Sequence, residues 1–237
     1  MPKRTLFIVI EGLDRSGKTT QTAILHERLV AAGHDTKLMK FPDRTTAIGK
    51  MIDSYLKSES ELDDHAIHLL FSANRWELAS TITQTLLHPS PITVLCDRYA
   101  FSGIAFTASK PADIPFEWCR APDVGLPAPD LTIFLDISPE TAKERGGYGE
   151  ERYEKEEMQR KVRAVFGRIG GEMIASSERG DEEHASLAQG GRGRWVMIDA
   201  GRECEEVAKE IWTLVEPLVK EGADTPIGKL WIDKGLK

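Results

Sequence analysis

Asparagine occurs once in the 237 residues, at Asn74, and cysteine three times, at Cys96, Cys119 and Cys204. The cysteines are odd in number, widely spaced and form no C-x-x-C pair. That excludes a disulfide framework or zinc–cysteine site and points to a reducing compartment. The six histidines, at 26, 34, 65, 68, 88 and 184, fall at no metal-ligand spacing. No run approaches the roughly 20 apolar residues of a membrane span, so no membrane partner is expected. The first strand-like run starts within five residues of the N-terminus, leaving no expectation of a signal peptide. The expected location is cytoplasmic, with a nuclear share left open. A basic excess is missing too. Net charge is −7, so the chain as a whole repels polyanions, and no nucleic-acid partner is expected. Phosphate recognition must then be local, built from single arginines and backbone amides, which points to small phosphorylated molecules.

What is present is an ordinary globular composition, with 41% hydrophobic residues. Five short apolar runs, at 5–10, 36–41, 92–97, 131–136 and 195–199, read as parallel strands. Their hydrophobicity is continuous, as expected of strands covered on both faces. Helical spacing follows at 19–32, with Gly33 suited to the C-terminal end, and at 203–219, where Val207, Ile211, Leu214, Val215 and Leu218 share one face. Strand alternating with helix predicts one α/β domain over 1–237, an open doubly wound parallel sheet. Ligands of such sheets sit beyond the carboxyl ends of the strands. The stretch 176–194, "SSERGDEEHASLAQGGRGR", is polar and glycine-rich and reads as an exposed insertion, with partner binding as the lesser alternative.

The first strand runs into Gly12-x-x-x-x-Gly17-Lys18-Thr19, a strand–turn–helix in the context that a P-loop needs. Unpaired amides and the helix dipole favour phosphate there. Lys18 reaches the β- and γ-phosphates of a nucleotide, and Thr19 can ligate Mg²⁺. The filling of the loop is the puzzle, because Asp14 and Arg15 stand side by side in it. A guanine-reading switch protein would carry Asn-Lys-x-Asp, and the single asparagine is followed by Arg75. A motor or transporter ATPase needs accessory machinery that this length hardly accommodates. Small nucleotide kinases remain.

Asp97 ends the third strand, placed as a metal-binding carboxylate, and Arg98 next to it points into the crevice or forms a strand-end ion pair. In "KFPDRTTAIGKMI", Pro42 bends the chain and Arg44 sits where a helix would begin. An arginine opposes the dipole there, so a bound phosphate explains it better than local stability. In "DHAIHLLFSANRWELA", Ile67, Leu70, Phe71, Asn74 and Leu78 form an inward face. Phe71 and Arg75, one turn apart, could offer a stacking surface and a bidentate donor for a nucleobase. The plainer alternative is Phe71 in the core with Arg75 as a solvated rim charge; Trp76 is read as packing.

Taken together, "EGLDRSGKTTQ", "FPDRTTAIGKMI", "HLLFSANRWE", "DRYAFSGIAFT", "PDLTIFLDI" and "ERYE" resemble the thymidylate kinases of the eukaryotic type. The likeness runs from Phe7 to about Phe166, resumes at the last strand and ends with "PIGKLW". It implies a P-loop nucleoside monophosphate kinase fold, a five-stranded parallel sheet flanked by helices on both faces with a short lid at about 144–154. It also implies the reaction of dTMP with MgATP, and a homodimer. ATP would be held by Gly12, Leu13, Asp14, Arg15, Ser16, Gly17, Lys18, Thr19, Thr20 and Arg145, the last packed against adenine. For dTMP, Arg44 and Arg98 would grip the phosphate, with Phe41 and Pro42 beside them. Phe71 would stack on thymine, with Arg75 on its carbonyl edge. Ser102, Phe106 and Gln159 would line the base pocket, Tyr153 would lie under the deoxyribose and Asp14 would face the 3′-hydroxyl. Thr19 and Asp97 would serve the metal. Catalysis would rest on Arg15, Lys18, Asp97 and Arg98. In this branch the arginine that neutralises the transferred phosphoryl sits in the P-loop as Arg15, while Gly146, Gly147, Gly149, Glu150 and Glu151 make the lid glycine-rich and acidic. Asp43 stands where a glutamate is commoner, and the 176–194 stretch is longer than usual and close to the Asp199–Gly201 region expected near ATP. The alternatives are a kinase for UMP/CMP or dGMP, or a catalytically silent nucleotide-binding module.

Overall fold

Residues Phe7–Gly12 form β1, and each of its six side chains is buried. The computed structural model describes residues 3–145, 152–153, 155–178 and 193–232. The chain continues through α1 (Lys18–Ala31), β2 (Thr36–Lys40), α2 (Ala47–Leu56), α3 (Asp64–Leu86), β3 (Thr93–Asp97) and α4 (Ala100–Ala108). Then follow α5 (Phe116–Arg120), a 3₁₀ turn (Ala121–Asp123), β4 (Leu131–Asp136), α6 (Pro139–Glu144), α7 (Glu156–Glu178), β5 (Arg194–Asp199) and α8 (Cys204–Glu221). The strands are parallel, in the order β2-β3-β1-β4-β5. Helices α1 and α8 pack together, and α3, α4 and α7 pack in series as a separate group, so helices flank the sheet on both faces. No helix among the described residues is long and apolar enough to cross a membrane.

The order places β1 centrally. Val9 lies opposite Cys96 of β3 on one side and Thr132 of β4 on the other. Because the chain leaves β3 on one side of β1 and enters β4 on the other, the strand ends around Gly12 form the crevice of the fold.

Several expectations need correction. Continuous hydrophobicity predicts burial on both faces, which holds for β1, β3 and β4 but not for β2 or β5. Those two strands are the edges of an open sheet, and Met197 of β5 is 65% exposed. β1 lies two residues later than 5–10, because Glu11 and Gly12 still pair with Phe134 and Leu135 of β4. Arg44 does not begin a helix. α2 starts at Ala47 behind Thr46, whose hydroxyl accepts from Gly49 N at 3.0 Å, a cap worth about 1 kcal/mol. The conflict between Arg44 and a helix dipole therefore does not arise. The expected insertion starts late, since α7 extends to Glu178 and Arg194 already belongs to β5; 179–192 lie outside the described residues. So do the lid positions Gly146, Gly147, Gly149, Glu150 and Glu151.

Candidate active site

The phosphate loop is built from the end of β1. A Cβ at Gly12 would fall 2.6 Å from Ser16 Oγ and 2.7 Å from Leu135 O, so no side chain fits there. Leu13 and Ser16 are buried, whereas Thr20 is exposed on the first turn of α1. Arg15 adopts φ 61° in the left-handed region. Its carbonyl accepts from Arg145 Nη1 at 3.2 Å, and Arg145 Nη2 donates to Ala200 O at 2.5 Å. Arg145 thus ties the loop to the chain just after β5, the region expected to meet adenine. Lys18 turns back over the loop, donating to Leu13 O and lying 3.4 Å from Ser16 Oγ. Burial, followed by the charge of Arg98, lowers its pKa to about 7 against the pull of Asp14, Asp97 and Glu11. A phosphate brought to this nitrogen would favour the charged ammonium.

Thr19 Oγ1 donates to Asp97 Oδ2 at 2.7 Å, bringing together the two residues expected to serve the metal. Asp97 is 3% exposed, and its other oxygen, Oδ1, is buried with no hydrogen-bond partner among the described residues. Burial raises the Asp97 pKa, but Lys18, Arg98, Lys40 and the Thr19 hydroxyl together outweigh it and hold the carboxyl below its ordinary value. One ionised carboxylate with an unmatched oxygen beside a hydroxyl fits Mg²⁺, which is commonly held by one or two protein oxygens and substrate phosphates. Lys40, which sequence reasoning missed, lies with Nζ 3.3 Å from Asp97 Oδ2 and 3.2 Å from Thr19 Oγ1.

Beyond Asp14 a cavity opens. Asp14, Phe41, Pro42, Arg44, Phe71 and Arg75 line it, together with Arg98, Ser102, Phe106 and Tyr153. Of the expected acceptor-site residues only Gln159 is behind the wall. It is fully buried and holds Asp14 twice, accepting from its backbone N at 3.1 Å and donating to Oδ2 at 2.8 Å. Arg98 also adopts a left-handed φ of 67°. Its guanidinium pairs with Asp14, donates to Gly12 O at 2.9 Å and Ser102 Oγ at 3.0 Å, and lies 5.3 Å from the centre of the Phe106 ring. The strand-end ion pair exists, but inside the crevice. Arg44 donates to Asp53 Oδ1 at 2.7 Å.

The plainer reading of α3 fails for Arg75, which is 2% exposed and bonded to Asp123, not a solvated rim charge. Phe71 is half-buried and packs with Ile52, Tyr55, Leu56 and Ile67, while also facing the cavity. Trp76 is 43% exposed, its indole donating to Pro122 O at 2.8 Å, so it is less of a packing residue than expected. Tyr153 stacks obliquely on Phe106 with ring centres 5.5 Å apart, and its hydroxyl meets that of Tyr55 at 3.3 Å.

Two further residues organise these groups: Glu11, which sequence reasoning missed, and Asn74, which it placed on the inward face of α3 without a role. Glu11 is fully buried, and Oε1 accepts from Tyr99 N at 2.9 Å and Ser102 N at 3.1 Å. Its Oε2 accepts from Ser102 Oγ at 2.5 Å, so one carboxylate caps the start of α4 beside Arg98. The lone asparagine, Asn74, accepts from Asp43 N at 2.7 Å and donates to Thr46 Oγ1 at 3.0 Å, pinning the turn that carries Arg44. An acid at the end of an apolar run is a faint signal for Glu11, and helical spacing turns Asn74 inward without showing its partners; nothing local marks Lys40.

Comparison with known proteins gives a consistent picture. The thymidylate kinase family model matches residues 10–179. The thymidylate kinase of Danio rerio is 45% identical over 229 residues, covering 97% of this chain and 98% of that one. That of Schizosaccharomyces pombe is 50% identical over 212 residues, covering 90% and 92%. The solved thymidylate kinase from Candida albicans superposes with a TM-score of 0.72 at 38% identity, covering 92% of this chain and 93% of its own. A phosphate loop, a carboxylate beside it and an adjoining arginine-lined cavity thus coincide with end-to-end similarity: the chain belongs to the thymidylate kinase family.

Proposed function

We propose that the chain transfers the γ-phosphoryl group of MgATP directly to dTMP, giving ADP and dTDP for dTTP synthesis. The observation that carries this reading is the position of Arg98. One guanidinium touches the phosphate loop at Gly12 O and the acceptor wall at Asp14 and Ser102, so donor and acceptor phosphates would meet around it. An oxygen of the dTMP phosphate attacks the γ-phosphorus as the bond to the β,γ-bridging oxygen breaks, and ADP leaves. Such transfer needs positioning and charge neutralisation more than a side-chain nucleophile, so no phosphoenzyme forms.

Lys18 and the loop amides hold the ATP phosphates, and Arg15 neutralises the phosphoryl in flight. Thr19 and Asp97 would hold Mg²⁺, which when bound neutralises charge on the β- and γ-phosphates. Arg98 and Arg44 orient the acceptor phosphate, Phe71 stacks on the base, and Tyr153 lies under the sugar. Asp14, fixed by Gln159 and Arg98, faces the 3′-hydroxyl. The neighbours Asp14 and Arg15 therefore address acceptor and donor respectively, which accounts for their adjacency. The working form is a homodimer. Leu69 and Trp76, seven residues apart on α3 and so on one face, are 48% and 43% exposed, in keeping with a covered surface.

A panel of dTMP, UMP, CMP and dGMP with MgATP, read by ADP release, tests the assignment. The highest kcat/KM is expected with dTMP. A higher value with CMP or dGMP would overturn it.

A further inference from the structure

We infer that Lys40 is a displaceable counter-ion of the Thr19–Asp97 pair, whose ammonium opposes the divalent cation there and so sets how strongly metal and nucleotide binding are coupled. The inference rests on the metal-binding reading of Thr19 and Asp97 above. Lys40 closes β2 directly opposite Asp97 of β3, and the next amide, Phe41 N, donates to Asp97 O at 3.0 Å. The backbone thus holds the root of the side chain beside the carboxylate. From there the ammonium donates to Thr19 Oγ1 at 3.2 Å and lies 3.3 Å from Asp97 Oδ2. Thr19 gives its own hydrogen to the same Oδ2 at 2.7 Å. Oδ1 takes neither contact and is buried without a partner among the described residues. One edge of the carboxylate is therefore committed to a lysine, and the other is left for a cation.

The lysines of this crevice differ in freedom. Lys18 is buried and bonded to Leu13 O within the loop. Lys40 stands on an edge strand with its side chain 56% exposed, against 4% for that of Asp97. An ion pair with so exposed a partner adds little stability, and its ammonium can move into water at small cost. What the position of Lys40 does change is charge. A cation held at about 2 Å by Thr19 Oγ1 would stand no more than about 5 Å from the Lys40 nitrogen, whichever lone pair it used. Like charges at that range repel, and one carboxylate cannot offset a divalent cation and an ammonium together. Nucleotide phosphates, in contrast, are attracted by the same ammonium. Lys40 therefore favours the nucleotide without metal and narrows the advantage that the metal confers.

The test is ADP affinity by calorimetry, with excess Mg²⁺ and with excess EDTA, in the full-length protein and in Lys40→Met and Lys40→Arg. ADP without an acceptor does not react, so the readout is independent of turnover. The ratio of the two affinities measures the coupling of metal to nucleotide. It should rise about 10-fold in Lys40→Met, chiefly through weaker binding in EDTA, and stay near the parent value in Lys40→Arg, which keeps the charge. An unmoved ratio in Lys40→Met would make the lysine merely structural, and a lower one would mean that it works with the metal; either overturns the inference. A ratio that rises as far in Lys40→Arg also overturns it, because charge is then not the cause. Should Lys40→Met fail to fold, the neutral Lys40→Gln decides in the same way. A parent protein with equal affinity in Mg²⁺ and EDTA would instead refute the metal assignment of Thr19 and Asp97, and the inference with it.

Discussion

Lowering the pH from 7 to 5 should destabilise this protein through one histidine. His68 of α3 is fully buried, with Nε2 2.8 Å from Cys119 O and Nδ1 2.8 Å from the Thr107 hydroxyl. A carbonyl only accepts, so the neutral ring carries its proton on Nε2 and takes the Thr107 hydrogen at Nδ1. Burial, then the charge of Arg75, pushes the pKa down from 6.5 to about 4, against Asp123 and the Cys119 carbonyl. In the unfolded chain the ring titrates near 6.5, so below that pH the unfolded state binds more protons and the free energy of unfolding drops. The gap between 6.5 and about 4 is worth about 3 kcal/mol in full, and about 2 kcal/mol of it is lost by pH 5. Urea unfolding at pH 7 and pH 5, compared with His68→Gln, measures this. Gln can donate to Cys119 O and accept from Thr107 without titrating. The variant should lose about 2 kcal/mol less than the parent over that interval. Glu11, whose pKa burial raises, works in the opposite sense in both proteins and cancels in the difference. Equal losses would refute the reasoning. Because Thr107 also lines the acceptor cavity, the same proton should weaken dTMP binding.

Arg15→Gly should lower kcat by about 10³-fold with little effect on the affinity for either nucleotide, because its contact strengthens in the transition state. A rise in KM for dTMP alone would contradict that role. Phe71→Ala should weaken dTMP binding by about 1–3 kcal/mol, the range for one base–aromatic stack; calorimetry giving an unchanged affinity would return Phe71 to the core. Glu11→Leu leaves the Tyr99 and Ser102 amides unmatched and should cost about 2–5 kcal/mol in urea unfolding. Glu11→Gln, which keeps one accepting oxygen, should cost less than half as much, and equal costs would show that hydrogen bonding is not what Glu11 supplies.

Where local pattern and fold agree, the sequence was sufficient. β4 falls at 131–136 as read, the inward residues of α8 are buried or packed on the core, and Gly33 takes a left-handed φ of 83° after α1. Ten acceptor-site residues, chosen by resemblance from five separate segments, line one cavity. What stayed hidden depends on contacts distant in sequence. Asp123 lies 48 residues from Arg75, and Ser102 lies 91 from Glu11, so no window of the chain shows either pair. The left-handed backbones of Arg15 and Arg98 were also invisible, since that conformation is looked for at glycine, not arginine. The edges of the sheet misled for a different reason. β2 and β5 mix their apolar residues with Lys37, Lys40 and Arg194, and each has a neighbour on one side only.

The most direct test of the central claim is a single-turnover reaction with ATP labelled at the γ-phosphorus, Mg²⁺ and excess dTMP. The label should move into dTDP as fast as ADP appears, with none found on protein. Label remaining in ATP, or appearing on the protein before dTDP, would contradict direct transfer between two nucleotides meeting at Arg98.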